Sequence, residues 1–244
     1  MPPPANRPTP LPASDGPGAA PAAPAPARPR GRPRKTEEGR DDGNRRQLII
    51  DGAARLFRTK GFDAASTRDI AAAAGMRSGS PFYHFESKNA LLHAVVEEGL
   101  QRAVKSQQQV LSGLPASMAP PDRLAALVRH HFEILFGPEG DFIPVMLYEW
   151  RSLTPAQRTA IARLKAQYEA PWVPVLQALH DAGWLRTEPP LARLFILGAL
   201  NWAVQWYQPG GRLSLDALAQ QALALFLGPP AGGPASLSSL ETRA

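Results

Sequence analysis

Proline placement constrains this chain more than any other feature. Proline lacks a backbone N–H and its ring collides with the preceding turn, so a helix admits it in the first turn and kinks or breaks around it elsewhere. Twelve of the 27 prolines fall in the first 34 residues, where eight more positions are alanine and almost no large apolar side chain is available to bury. Such a segment cannot offset its ordering entropy and reads as a disordered, locally extended tail. The charged stretch that follows carries the tail to residue 44. Beyond it, Pro and Gly punctuate segments whose apolar residues recur every three or four positions, and nothing reads as a strand.

Ile49, Ala53, Leu56 and Phe57 define a helix over 45–60 that stops at Gly61. Ser66 and Asp69 form a capping box ahead of Ile70, and Gly75 ends a short second helix. Pro81 fits only a first turn, which pins a third helix to 78–85. Lys88 opens a longer helix bearing Leu91, Leu92, Val95 and Val96, broken after Val110 by Gly113 and Pro115. Further helices are expected at 122–136, at 142–153, from Thr154 to Gly183 with an interruption at Pro171 and Pro174, at 191–207 and at 214–227. The expected fold class is all-α: a three-helix head over 45–92, a helical body over 93–228, and tails at 1–44 and 229–244.

Charge separates head from body. Residues 1–92 carry 15 Lys+Arg against 9 Asp+Glu, whereas residues 93–244 are balanced at 12 of each. A basic module on a neutral one suits a polyanion-binding head on a body with another task. Zero cysteines exclude a disulfide framework, a thiolate zinc site and a cysteine nucleophile. The longest apolar stretch, 194–204, is broken by Asn201 and is far shorter than the roughly 20 residues that cross a bilayer. With no basic, apolar leader at the N-terminus either, a cytoplasmic protein without a membrane partner is expected.

A short helix, a Gly-containing turn and a second short helix rich in polar and aromatic residues make a helix-turn-helix pattern, whose alternative is an ordinary helical hairpin. The residues from Ile49 to Val95 resemble the tetracycline-repressor (TetR) family of bacterial regulators in Ala53-Ala54-Arg55-Leu56-Phe57, Lys60-Gly61-Phe62, Ser66-Thr67-Arg68-Asp69-Ile70-Ala71, Ala74-Gly75-Met76, Gly79-Ser80 and Phe82-Tyr83-His84-Phe85-Glu86-Ser87-Lys88. The resemblance implies that Thr67 and Arg68 meet backbone phosphate and that Arg77, Ser78, Gly79 and Ser80 face base edges. It further implies that Tyr83 packs on a base or sugar, and that His84 and Lys88 bond phosphates. Phe82 stands where that family usually has tyrosine, and Pro81 replaces a leucine-like residue. Arg30, Arg32 and Arg34 sit in a segment similar to an AT-hook, which lays arginines in a narrow minor groove; the alternative is a basic linker.

The body carries no nucleophile elbow, phosphate-cradling loop or paired catalytic carboxylates, so no enzyme, cofactor or metal is expected. His130 and His131 are adjacent and point to different helix faces, which favours solvated or core-edge roles over metal binding. Its aromatic residues suit an adaptable apolar cavity bordered by Phe142, Met146, Trp150, Trp172 and Trp202. Residues 146–227 are similar to a TetR subgroup that includes repressors of steroid and fatty-acid catabolism. That similarity implies a small apolar effector, with an acyl-CoA thioester leading and Arg151, Arg158 and Arg212 as candidate cationic partners. The family dimerises through its last two helices, which implies a homodimer interface at Leu197, Leu200, Val204, Leu218 and Leu223. The expected protein is a repressor that binds double-stranded palindromic DNA as a dimer and is released by its effector. A ligand-insensitive nucleoid-associated or division-control protein is the alternative, and an enzyme sited among the aromatics a more distant one.

Overall fold

The computed structural model describes residues 37–76 and 81–228. Among these, nine α-helices and no strand are found. The head comprises α1 (Glu37–Lys60) and α2 (Thr67–Ala73), followed by a single 3₁₀ turn at Pro81–Tyr83. The body comprises α3 (Lys88–Ser112), α4 (Pro120–Phe136), α5 (Phe142–Tyr148), α6 (Pro155–Glu169), α7 (Trp172–Asp181), α8 (Pro189–Trp202) and α9 (Leu215–Phe226).

Local chemistry sets most boundaries. Gly61 ends α1 with φ +83°, its N–H donating to Phe57 O at 3.0 Å. The α2 box is reciprocal: Asp69 N–H donates to Ser66 Oγ at 3.2 Å and Ser66 N–H to Asp69 Oδ2 at 3.0 Å. Lys60 Nζ joins it, 2.6 Å from the same carboxylate oxygen. This lysine first, and the Ser66 bonds second, hold the Asp69 carboxyl well below the usual carboxylate range. Gly75, at φ +69°, closes α2 with paired bonds, Met76 N–H to Ala71 O at 2.9 Å and Gly75 N–H to Ala72 O at 3.0 Å. Thr154 and Gln157 form a second reciprocal box before Pro155.

Two boundaries in the head differ from expectation. Helix α1 begins at Glu37, inside the segment assigned to the tail, because its leading turns carry no apolar residue and periodicity cannot register them. The third helix is not seen over its expected span: only Pro81–Tyr83 is helical among the described residues, His84 N–H closing it onto Pro81 O at 3.1 Å. The interruption expected at Pro171 is present: α6 stops at Glu169 and α7 starts at Trp172, with Pro174 in its first turn.

Helix α1 crosses α2 at Gly52, where a Cβ would lie 2.8 Å from the Ala73 carbonyl, so the two backbones touch. Ile49, Ile50, Phe57, Ile70, Leu91 and Leu92 are buried in this crossing and tie the head to α3. Helix α3 then runs unbroken into the body, where α6 packs on α3 and α7 on α4, and Leu124, Leu127, Phe132, Leu135, Ile161 and Trp172 are buried in the core. Helices α8 and α9 cover the remaining side of α4.

Candidate functional site

The exposed end of the head carries several of the residues named for DNA. Thr67 and Arg68 are exposed at the start of α2, and Tyr83 is 85% exposed, its ring meeting the edge of His84. Arg77, Ser78, Gly79 and Ser80 lie outside the described residues, as do Arg30, Arg32 and Arg34.

Lys88, expected at a phosphate, is engaged within the protein. Its ammonium donates to three carbonyls of the loop after α1, Phe62 at 2.8 Å, Ala65 at 3.1 Å and Asp63 at 3.2 Å. It also lies 4.5 Å from the Phe62 ring centroid. With its three protons so engaged, it fixes the approach to α2.

Between head and body lies α5, gripped at both ends. At its start, Asp141 accepts from Arg58 of α1 at 2.6 Å. Just past its end, Glu149 accepts from the Phe62 N–H at 2.9 Å. In the adjoining 3₁₀ turn (Trp150–Ser152), the Ser152 carbonyl accepts from the Asn89 amide of α3. The inner face of α5 points the other way: Phe142, Ile143 and Met146 line a half-open cavity of about 40 Å³, with Leu100, Ala103, Ile134 and Leu197. That volume holds only a few water-sized molecules.

The cavity has a polar wall that sequence reasoning missed. His131, 3% exposed, lines it together with Tyr168 and Asn201. Its Nδ1 is 3.0 Å from the Tyr168 hydroxyl, and its Nε2 has no hydrogen-bond partner. Burial lowers the His131 pKa to about 4, the nearby Asn201 amide opposing this and His130 adding to it. Burial likewise pushes the Tyr168 phenol above its ordinary value. Gln107 supports the wall, its amide donating to the Tyr168 carbonyl at 2.8 Å and accepting from Trp172 Nε1 at 3.1 Å. His130 is also buried rather than solvated; it pairs through Nε2 with Ser106 Oγ at 2.8 Å beside a separate cleft of about 260 Å³. No group of three potential metal-ligating side chains occurs among the described residues.

Of the five residues expected around the cavity, Phe142 and Met146 line it. Trp172 is fully buried behind it, its ring against the edge of His131. Trp202 is 63% exposed on α8 and does not line it. Trp150 lines an outer basin of about 530 Å³ with Val173, Lys165, Glu169 and Arg193. Lys165 and Glu169 border both spaces, and Glu169 is ion-paired with Arg193. Arg151, Arg158 and Arg212 line neither.

The expected interface residues also need correction. Leu197, Leu200 and Leu218 are buried within the subunit, because the inner faces of α8 and α9 pack on its own core. Val204 and Leu223 are half-buried. The open apolar face of α8 is instead Leu191, Leu194, Phe195 and Trp202, with Leu225 exposed on α9.

Residues 49–95 match the family described as bacterial regulatory proteins, tetR family, and residues 117–229 match the tetracyclin repressor-like C-terminal domain. The chain is 33% identical over 189 residues to the HTH-type transcriptional repressor KstR2 of Rhodococcus jostii (strain RHA1), across 75% of this chain and 89% of that one. Among solved structures, AibR in complex with isovaleryl coenzyme A and operator DNA has a TM-score of 0.65 at 27% identity, covering 77% of this chain and 100% of that one. The ketosteroid transcriptional regulator KstR2 of Mycobacterium tuberculosis has a TM-score of 0.64 at 26% identity, covering 76% and 96%.

Two outcomes follow from these contacts. Lys88→Met should lower stability by about 2 kcal/mol, as expected for lost charge-assisted bonds, and leave the salt dependence of DNA binding unchanged; denaturant titration and binding at several salt concentrations check both. His131, near 6.5 in an unfolded chain, is held to about 4 here, so between these values the unfolded chain binds the extra proton. Its contribution is complete above about pH 6.5 and is lost as pH falls towards 4. Between pH 7 and 4.5 the native protein should lose about 2–3 kcal/mol more than His131→Phe in urea titrations.

Proposed function

Because the chain belongs to the TetR family of bacterial regulatory proteins, and is therefore a DNA-binding transcriptional regulator rather than an enzyme, we propose that it is a homodimeric repressor released from a palindromic operator by an acyl-CoA thioester. The observation that carries this reading is the placement of α5. One helix lines the cavity through Phe142, Ile143 and Met146 and grips the head through Asp141 and Glu149.

The cavity is too small for a branched acyl chain as it stands, so an occupant must push its walls apart. Displacing Phe142 or Met146 displaces α5, and with it the partners of Arg58 and the Phe62 N–H. The heads of a dimer then lose the separation that fits two half-sites one helical turn, roughly 34–36 Å, apart. The outer basin suits the rest of the ligand: Lys165 and Arg193 supply cationic groups for phosphates and Trp150 a ring for a base. Isovaleryl coenzyme A, present in the AibR complex, is the chemical precedent.

On the DNA side, Thr67, Arg68 and His84 are assigned to phosphate, Tyr83 to a base or sugar, and Arg77, Ser78, Gly79 and Ser80 to base edges. Arg30, Arg32 and Arg34 form the minor-groove arm. The working division is a head over 45–92 and a body over 93–228, with α3 common to both. The second subunit is assigned to the open face of α8, where Leu194 is 60%, Phe195 65% and Trp202 63% exposed, an apolar stripe that invites cover.

Phe195→Asp should therefore yield a folded monomer that no longer holds operator, whereas Leu197→Asp should unfold, since it buries a lone charge. Sedimentation and circular dichroism separate the two; a Phe195→Asp dimer would move the interface elsewhere. For the effector, DNA fragments retained by the purified protein supply the operator, and titration calorimetry with isovaleryl coenzyme A is run with and without it. Linkage requires each ligand to weaken the other by the same factor. No binding, or equal binding in both conditions, contradicts the reading.

A further inference from the structure

The polar wall of the cavity holds one donor that the protein leaves unused. His131 is 3% exposed, its ring lines the cavity, and Leu100, Ala103, Ile134 and Phe142 make its surroundings apolar. The Tyr168 hydroxyl, 3.0 Å from Nδ1, decides where the imidazole proton sits. A buried phenol keeps its proton and needs an acceptor for it; the Gln107 amide also neighbours the phenol, but its oxygen is taken by Trp172 Nε1, which leaves Nδ1 to accept. Tyr168 O–H therefore donates to Nδ1, and the neutral ring carries its own hydrogen on Nε2. The Asn201 side chain is near enough to interact with the ring and favour its protonated form, yet it reaches no hydrogen-bonding geometry with Nε2. Buried donors are seldom left so, and those that are point to a missing partner.

We propose that the Nε2–H of His131 is the polar anchor of the cavity, donating to a carbonyl oxygen of the bound effector and so selecting a carbonyl compound over a hydrocarbon of the same shape. This rests on the cavity being the effector site. The partner is a neutral acceptor: Lys165 on the cavity wall is balanced in charge by Glu169 on the same helix, so a carboxylate at Nε2 would have only an uncharged N–H to compensate its burial. A thioester, ketone, ester or amide oxygen meets that requirement. The reach of the anchor also orients the ligand: its carbonyl lies against α4, its apolar end against Phe142 and Met146 of α5, and its remainder towards Lys165 and Glu169, which border the outer basin.

The test compares ligands that differ by one oxygen. Isovaleryl coenzyme A and its S-(3-methylbutyl) thioether, which lacks the carbonyl, are titrated into the native dimer and into His131→Phe. The native protein should prefer the thioester at least tenfold, and His131→Phe should bind the two alike. A tenfold preference that survives in His131→Phe overturns the proposal. Because His131→Phe leaves the Tyr168 hydroxyl without its acceptor, the double variant His131→Phe/Tyr168→Phe, which removes both partners, is read in the same way. A second pair is independent of coenzyme A: cyclohexanone and methylenecyclohexane, followed through the histidine Nε2 resonances of ¹⁵N-labelled protein. The ketone should shift the His131 signal, assigned by its loss in His131→Phe, and the hydrocarbon should not. If the ketone acts while neither CoA compound binds, the acyl-CoA reading fails and the anchor stands. If the two small compounds leave the Nε2 signal equally unmoved, or move it equally, the anchor is refuted.

Discussion

The contact on which this structure turns is that between Gly99 of α3 and Phe142 of α5. A Cβ at residue 99 would lie 2.2 Å from the Phe142 ring, so no other residue allows the two helices to approach this closely. Helix α3 spans head and body, and α5 is fastened to the head by Asp141 and Glu149. Phe142 is thus at once a wall of the cavity, a wedge against the shared helix and the first residue of the element that holds the head. Packed interiors do not deform smoothly. Anything that enlarges the cavity at Phe142 must shift one of these helices relative to the other.

The same economy appears in the polar groups. His131, Tyr168, Gln107 and Trp172 come from α3, α4, α6 and α7 and meet in one buried chain of hydrogen bonds and ring contacts. Such a network fixes the relative position of four helices, since each member left unpaired would carry a desolvation cost of about 1–3 kcal/mol. On the proposed reading it keeps the α4 and α6 side of the cavity in place, so that the wall that moves is α5. An effector held on the rigid side and pressing on the movable one can convert binding energy into a change of head position.

What the sequence reveals here is what is local. Ser66 with Asp69 and Thr154 with Gln157 declare two helix starts because both partners of each box lie three residues apart. Gly61, Gly75 and Gly183 declare ends because their positive φ suits few other residues. Phe142 and Met146 could be placed at the cavity from their setting among aromatics. Helix α8 defeated the same reading: it is apolar nearly all round, so periodicity cannot tell Leu197, which faces its own core, from Phe195, which faces out. Lys88 looked like a phosphate ligand because its three carbonyl partners converge only once the loop after α1 folds back. His131 and Tyr168, 37 residues apart, gave no joint signal at all.

The central claim is that filling the cavity moves α5 and thereby the heads. The chain has no cysteine, so Ala64→Cys, at an exposed position in the loop between α1 and α2, gives one spin label per subunit. Pulsed electron–electron double resonance then reports the separation of the two heads in the dimer. With operator bound, one narrow distance is expected, and saturating isovaleryl coenzyme A should shift it by several ångströms as DNA is released. An unchanged distance distribution at full effector occupancy, with DNA affinity lowered all the same, would contradict the account.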